Sequence, residues 1–165
     1  MSATTIRGRT IVVSVVFRGA LWLDGVATCV TEAREQNYNL KVLNLIKKSK
    51  QFSQLHAILI SSRLNPNRKI SIQDLARKLK LPVIAIKSSK ARRTGKRDVN
   101  NFDIEASGKR VAVSAAQVDR DGAERLYGIG CSKCGKIPEA VRIADLLAEE
   151  LTRTSQNRGI QFVTK

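Results

Sequence analysis

Residues 55–86 read LHAILISSRLNPNRKISIQDLARKLKLPVIAI, and the order of elements in this stretch decides the fold. Leu55 to Ile60 is a short, continuous apolar run of the type shown by a strand covered on both faces. Ser71 is placed as the N-cap of a helix that begins with Ile72, Gln73 and Asp74 and runs to about Lys80, where Leu81-Pro82 ends it. Val83 to Ile86 follows as a second buried strand. Two strands linked by a helix form a βαβ unit, which requires a parallel pair and a right-handed crossover. The first strand runs out into Ser61, Ser62 and Arg63, at the kind of strand end where α/β proteins place ligands and catalytic carboxylates. Here no acid lies between Gln51 and Gln73.

On the N-terminal side, Thr10 to Arg18 and Leu21 to Thr31 are rich in Val, Ile and Thr and are separated by Gly19-Ala20, the pattern of an antiparallel hairpin. Leu40, Leu43 and Ile46 recur at helical spacing, with lysines gathered at the end that a helix dipole favours. On the C-terminal side, Lys87 to Arg97 is polar, basic and without period, and is expected to be an exposed loop or arm. Arg110 to Ala115 suggests a strand and Ala123 to Tyr127 part of a short helix. Pro138 opens a final helix whose Val141, Ala144, Leu147, Ala148 and Leu151 form one stripe. The expected architecture is a single α/β domain over residues 1–165. It has a mixed sheet, an N-terminal antiparallel hairpin and a βαβ unit flanked by helices, with residues 1–9 as a short N-terminal tail.

Thirty Lys and Arg against fourteen Asp and Glu give a net charge of +16, a self-repelling balance that points to a polyanionic partner. Between Arg63 and Arg97 twelve cations face Asp74 alone. Within that span Arg63, Arg68, Lys69, Lys87, Lys90, Arg92, Arg93, Lys96 and Arg97 lie at or beyond the two parallel strand ends and are the expected nucleic-acid contacts. No basic helix carries aromatic and leucine residues on its opposite face, so a membrane is not the expected partner. No membrane span or signal core is evident, and a cytoplasmic location is expected. The chain has seven aromatic residues, Phe 4, Trp 1 and Tyr 2. Phe17, Trp22, Phe52 and Tyr127 are expected in the core, which leaves little to stack single-stranded bases. Structured RNA or duplex, read by shape and phosphate, therefore fits better than single strands, and RNA is preferred over duplex DNA because the basic loop at 87–97 resembles the extensions of ribosomal proteins. Cys131 and Cys134 form a single CxxC, a weak zinc candidate that only convergence with Cys29 and His56 would complete. His56, inside an apolar run, suggests a structural histidine.

Three stretches carry a family resemblance: Val15-Val16-Phe17-Arg18-Gly19 followed by Leu23-Asp24-Gly25-Val26; Leu81-Pro82-Val83-Ile84; and Ile137-Pro138-Glu139-Ala140-Val141-Arg142-Ile143-Ala144-Asp145-Leu146-Leu147-Ala148. In this order the chain resembles the archaeal endonuclease dU family, relatives of endonuclease V with a ribonuclease H-like sheet. That resemblance implies a ribonuclease H-like fold over roughly residues 11–158, consistent with the hairpin and the βαβ unit.

The departures shape the functional expectation. The family opens with a strand carrying an Asp-Asp pair, and here Met1 to Arg9 holds no acid, which implies that the first metal-binding strand is absent. The family's central carboxylate corresponds to Ser61, and its C-terminal histidine to Asp145. Where the family carries an Asp after the hairpin, this chain offers Glu32 and Glu35. Asp24, Glu32 and Glu35 are the remaining weak catalytic candidates, and Asp24 also suits a turn or bulge beside Gly25. Asp145 and Glu149 are expected to pair with Arg142 or Arg153 on the last helix. The expectation is a non-catalytic nucleic-acid-binding protein without a cofactor, held on ribosomal or other structured RNA with protein partners in a ribonucleoprotein. The alternative is a DNA-repair endonuclease acting at deoxyuridine, or a non-catalytic subunit of one, with Mg²⁺ needed only in that case.

Overall fold

The computed structural model describes residues 1–6, 8–32, 37–64, 70–87, 100–106, 108–132 and 135–158. In chain order the elements are β1 (Ser2–Ile6), β2 (Arg9–Arg18), β3 (Trp22–Glu32), α1 (Tyr38–Lys47), β4 (Ile58–Ile60), α2 (Ile72–Leu79), β5 (Val83–Ile86), β6 (Asn100–Ala106), β7 (Lys109–Ala116), α3 (Arg120–Ile129) and α4 (Glu139–Arg158). Short 3₁₀ turns at Phe52–Gln54 and Ser62–Leu64 flank β4.

The βαβ unit is present, with β4 parallel to β5 and Ile60 opposite Ala85. The helix between them is capped as its sequence suggests, Ser71 Oγ accepting from the Asp74 N–H at 3.2 Å. Lys80 closes it in the left-handed conformation, φ 55°. The hairpin β2–β3 turns at Gly19, whose φ of +60° suits a residue without a Cβ.

Residues 1–9 are not a tail. Ser2 to Ile6 form β1, antiparallel to β2 from Ser2 opposite Val13 to Ile6 opposite Arg9. The strand lacks an apolar alternation, and its place is set by pairing with a strand that follows it directly. Two further hydrogen bonds join it to β4: the α-amino group of Met1 donates to Leu59 O at 2.7 Å, and the Ser61 N–H donates to Met1 O at 2.8 Å. This is the pattern of a parallel bridge between Met1 and Ile60. It links the two hydrogen-bonded sets, β1-β2-β3 and β4-β5-β7-β6, into one mixed sheet in the order β3-β2-β1-β4-β5-β7-β6.

Period-two alternation divides the sheet's side chains between two faces. Val12, Ile58, Ile60 and Val83 pack with Val42, Ile46, Leu75 and Leu79 of α1 and α2. On the other face Ile84, Ile104 and Val113 meet Ala123 and Tyr127 of α3, and Ile11, Val13 and Val15 meet Ala144 and Ala148 of α4. β6, which pairs with β7 from Asn100 opposite Ala115, carries no strong strand signal and completes the far edge. Trp22, expected in the core, and His56, expected within the apolar strand, lie elsewhere. Trp22 is 70% exposed, because β3 is an edge strand and its first residues project past the covering helices. His56 is exposed and precedes β4 rather than lying within it.

Candidate functional site

The end of β4, the start of β1 and the middle of α4 converge on one carboxylate. Ser61 is the first residue past Ile60, so alternation turns it to the α4 face, and it is 5% exposed. Ser2, fully buried, comes to the same face from β1. Both hydroxyls donate to Oδ1 of Asp145, from Ser61 at 2.7 Å and from Ser2 in a short contact. The Arg63 N–H donates to Ser61 Oγ at 3.2 Å and fixes the rotamer of that serine. One turn further along α4, Glu149 forms an ion pair with Arg63. Two turns along, Thr4 and Thr152 share a hydrogen bond of 2.6 Å. Asp145, Glu149 and Thr152 thus form one polar stripe of α4, facing β1 and the turn after β4.

The turn itself is held firmly. The Leu64 N–H donates to Ser61 O at 3.1 Å, and Tyr38 of α1 donates its hydroxyl to Leu64 O at 2.9 Å in a buried contact. Asp145 and Glu149 are therefore engaged across the site, while Arg142 pairs with Glu139 and Arg153 with Glu150. The expected pairing of Asp145 and Glu149 with Arg142 or Arg153 does not form.

A divalent cation does not fit these donors. Mg²⁺ and Mn²⁺ sites are built on several converging carboxylates, whereas here Asp145 faces the hydroxyls of Ser2 and Ser61 and Glu149 faces the guanidinium of Arg63. Among the described residues no group of three or more His, Cys, Asp or Glu side chains is placed to hold a metal ion.

The other sequence candidates are dispersed. Asp24 is the extra residue of a β-bulge, since Val16 faces Gly25 and Phe17 faces Leu23, and it pairs with Arg18 at 3.2 Å. Glu32 lies at the opposite end of β3, facing Arg9. Thr28 marks the level of Ser2, through Val13. Each acid is four residues from that level, about 13 Å along the strand, and two strands away, about 10 Å across. Neither reaches Asp145. Glu35 lies outside the described residues.

Among the expected nucleic-acid contacts, Arg63 is on the rim. Lys87 follows β5 and donates its ammonium to Asn101 Oδ1 at 2.7 Å, on the α1/α2 face. Arg68, Lys69, Lys90, Arg92, Arg93, Lys96 and Arg97 lie outside the described residues. The segments that carry them leave the sheet after two adjacent parallel strands, β4 and β5. Cys29 packs with the α1/α2 core and Cys131 with the α3 core on the other face, so these two do not converge, and Cys134 lies outside the described residues. Burial, then the nearby Glu139 charge, raises the Cys131 thiol pKa.

Sequence reasoning found Ser61 and Asp145 but missed Ser2, whose hydroxyl carries no signal without its strand.

No family model matches the chain. A UPF0215 protein of Methanothermobacter thermautotrophicus is 24% identical over 168 residues, covering 90% of this chain and 81% of that protein. A crystal structure of a protein of unknown function from Archaeoglobus fulgidus superposes with a TM-score of 0.76 at 19% identity, covering 91% of this chain and 94% of that one. Human ENDOV superposes with a TM-score of 0.67 at 13% identity, over 94% of this chain and 83% of that one. Endonuclease V of Ciona intestinalis, in complex with a 24mer DNA containing an inosine followed by a ribo-adenosine, superposes with a TM-score of 0.62 at 13% identity, over 90% of this chain and 81% of that one. The chain has the endonuclease V fold and a sequence similar to that of an archaeal UPF0215 protein.

Proposed function

We propose that the protein binds nucleic acid through its phosphates and does not cut it, with structured RNA in a ribonucleoprotein such as the ribosome as the preferred partner. The observation that carries this reading is the pair Ser2 and Ser61, two hydroxyls donating to Asp145 at the junction of β1, β4 and α4. Ribonuclease H-like nucleases use carboxylates to fix Mg²⁺ beside the scissile phosphate. A hydroxyl lacks the charge for that work. In this reading β1 is retained as a strand and its metal-binding acid is replaced by Ser2, as the acid of β4 is replaced by Ser61. The DNA complex of the Ciona endonuclease V supports nucleic acid as the partner class on this fold. The net charge of +16 supplies the attraction. The few aromatic residues favour recognition of shape and phosphate over base stacking, and the preference for RNA over duplex DNA rests on the basic composition of residues 87–97, which resembles that of ribosomal-protein extensions.

A second reading, a metal-dependent endonuclease acting at deoxyuridine, is favoured by Asp145 and Glu149 lying one turn apart on the same stripe of α4. One experiment separates the two. The protein is purified at low salt, its bound nucleic acid is identified, and it is then incubated with deoxyuridine- or deoxyinosine-containing DNA and Mg²⁺ or Mn²⁺. Bound RNA with intact DNA is the expected result. Metal-dependent cleavage that Asp145→Asn abolishes would overturn the binding-only reading.

A further inference from the structure

α1 and α2 end at the edge of the sheet where β4 and β5 begin, opposite to the edge that carries Arg63 and Lys87. α1 starts beside Leu64, to whose carbonyl Tyr38 donates its hydroxyl, and beyond its end Gln51 Nε2 donates to Asp24 O, near the tip of the β2–β3 hairpin, at 3.0 Å. The Ile58 N–H donates to Pro82 O at 2.9 Å and holds the approaches to β4 and β5 side by side. Lys47, Lys48 and Lys50 at the end of α1 and Lys78 and Lys80 at the end of α2 are exposed. None of these five has a carboxylate partner among the described residues. No acid occurs between Glu35 and Asp74 to offset them. Their mutual repulsion is relieved by an anion, and the two helix dipoles supply only part of one.

The hairpin tip adds an aromatic face to this edge. Leu21, Trp22 and Leu23 are 79%, 70% and 53% exposed, and Trp22 stands opposite the exposed Arg18. The tip is fixed by the bulge at Asp24, by the ion pair of Arg18 with Asp24 and by the Gln51 hydrogen bond. An indole held in water beside cations is the combination that binds unpaired nucleotides, the ring stacking on a base and the cations holding phosphates. An interfacial membrane contact needs an apolar face along a helix, whereas here the apolar residues are confined to one hairpin tip.

We propose that this edge is a second nucleic-acid contact, at which Trp22 stacks on an unpaired base and Lys47, Lys48 and Lys50 hold the phosphates next to it. The proposal rests on the nucleic-acid reading above and adds a ligand class to it, a folded RNA that carries unpaired nucleotides. The ten residues of α1 set the two edges about 15 Å apart, so one folded RNA reaches both.

Trp22 is the sole tryptophan, so quenching of its emission reports stacking. The full chain is titrated with a blunt RNA duplex and with the same duplex extended by an overhang of about six adenosines, a length that spans one stacking site. Binding is followed separately by the anisotropy of end-labelled RNA. The overhang RNA is expected to quench Trp22 saturably and to bind about tenfold tighter than the blunt duplex, which should bind without quenching. Trp22→Ala should remove the tenfold difference and Trp22→Phe should retain part of it. Replacing Lys47, Lys48 and Lys50 by alanine should make the salt slope for the overhang RNA shallower by about 2, at about 0.7 for each single-strand phosphate. Equal binding of both RNAs without quenching overturns this proposal and leaves the nucleic-acid reading standing, whereas binding of neither overturns both. A blue shift of Trp22 emission on phosphatidylglycerol vesicles, with no quenching by the overhang RNA, would assign the edge to a membrane surface and overturn the proposal as well.

Discussion

Asp145 accepts two hydroxyls on one oxygen and also interacts electrostatically with the buried α-amino group of Met1. A hydrogen bond to an ionised group contributes roughly 1.5–3 kcal/mol, and less where the partner retains a second donor. Ser61→Ala and Ser2→Ala should therefore each destabilise by about 1–2 kcal/mol in urea titrations. The double variant should lose more than the sum, because only then is the carboxylate left without a hydroxyl donor. The same convergence makes the replacement of acids by serine testable without any nuclease assay. With Ser2→Asp and Ser61→Asp together, three carboxylates meet where one stood, and their mutual repulsion should lower the Tm in EDTA. Mn²⁺ should restore it, while leaving the Tm of the natural sequence unchanged. A Tm that Mn²⁺ does not move in the double aspartate variant would show that these positions do not form a ligand set.

At the scale of elements, what was legible in the sequence was local. The βαβ unit could be read because two apolar runs, a Ser71 cap and the Leu81-Pro82 stop all lie within 32 residues. The last helix was readable from Pro138 and the stripe beginning at Val141. β1 and β6 were not, since Ser2-Ala3-Thr4-Thr5-Ile6 and Asn100-Asn101-Phe102-Asp103 have no period and become strands by pairing with β2 and β7. Because β1 was not visible, neither was Ser2, and half of the hydroxyl pair at Asp145 went unread. Trp22 was misplaced for a related reason: composition marks a strand but not its position at an edge. The cap of α2 has a further consequence. Lys80 holds φ 55° with its N–H bonded to Ala76 O, a conformation that strains any residue with a Cβ. Lys80→Gly should stabilise the fold by roughly 0.5–1 kcal/mol, after the entropy that glycine adds to the unfolded chain. In α3, burial and then the neighbouring Cys131 push the Tyr127 hydroxyl from an ordinary 10.0 up to about 12. Between those values the unfolded chain has lost the tyrosine proton and the folded one has kept it, so stability falls as pH rises through this window. Tyr127→Phe should flatten that part of the alkaline limb, as read by Tm against pH.

At the scale of the whole molecule, the excess of positive charge is distributed unevenly. Twelve cations and one acid lie between Arg63 and Arg97, on the α2 crossover and the segments that follow β4 and β5. Ion pairing does not reduce that excess, because each pair consumes one charge of each sign. Arg63 is a special case, since its partner Glu149 comes from α4 and both side chains are about half exposed, 53% and 44%. A pair that open to water contributes at most about 1 kcal/mol, so an incoming phosphate can take Arg63 from Glu149 at little cost. If about six phosphates are neutralised, log affinity for duplex nucleic acid should fall against log salt with a slope of about −5. Replacing Arg92, Arg93, Lys96 and Arg97 by alanine should make that slope shallower by about 3–4, at about 0.9 for each contact removed. Glu149→Gln should act in the opposite sense, raising affinity at low salt by releasing Arg63 from its partner while leaving the Ser2–Asp145–Ser61 cluster in place. A slope unmoved by the four-residue replacement would locate the phosphate contacts elsewhere. An affinity unmoved by Glu149→Gln would mean that Arg63 serves the fold rather than the ligand.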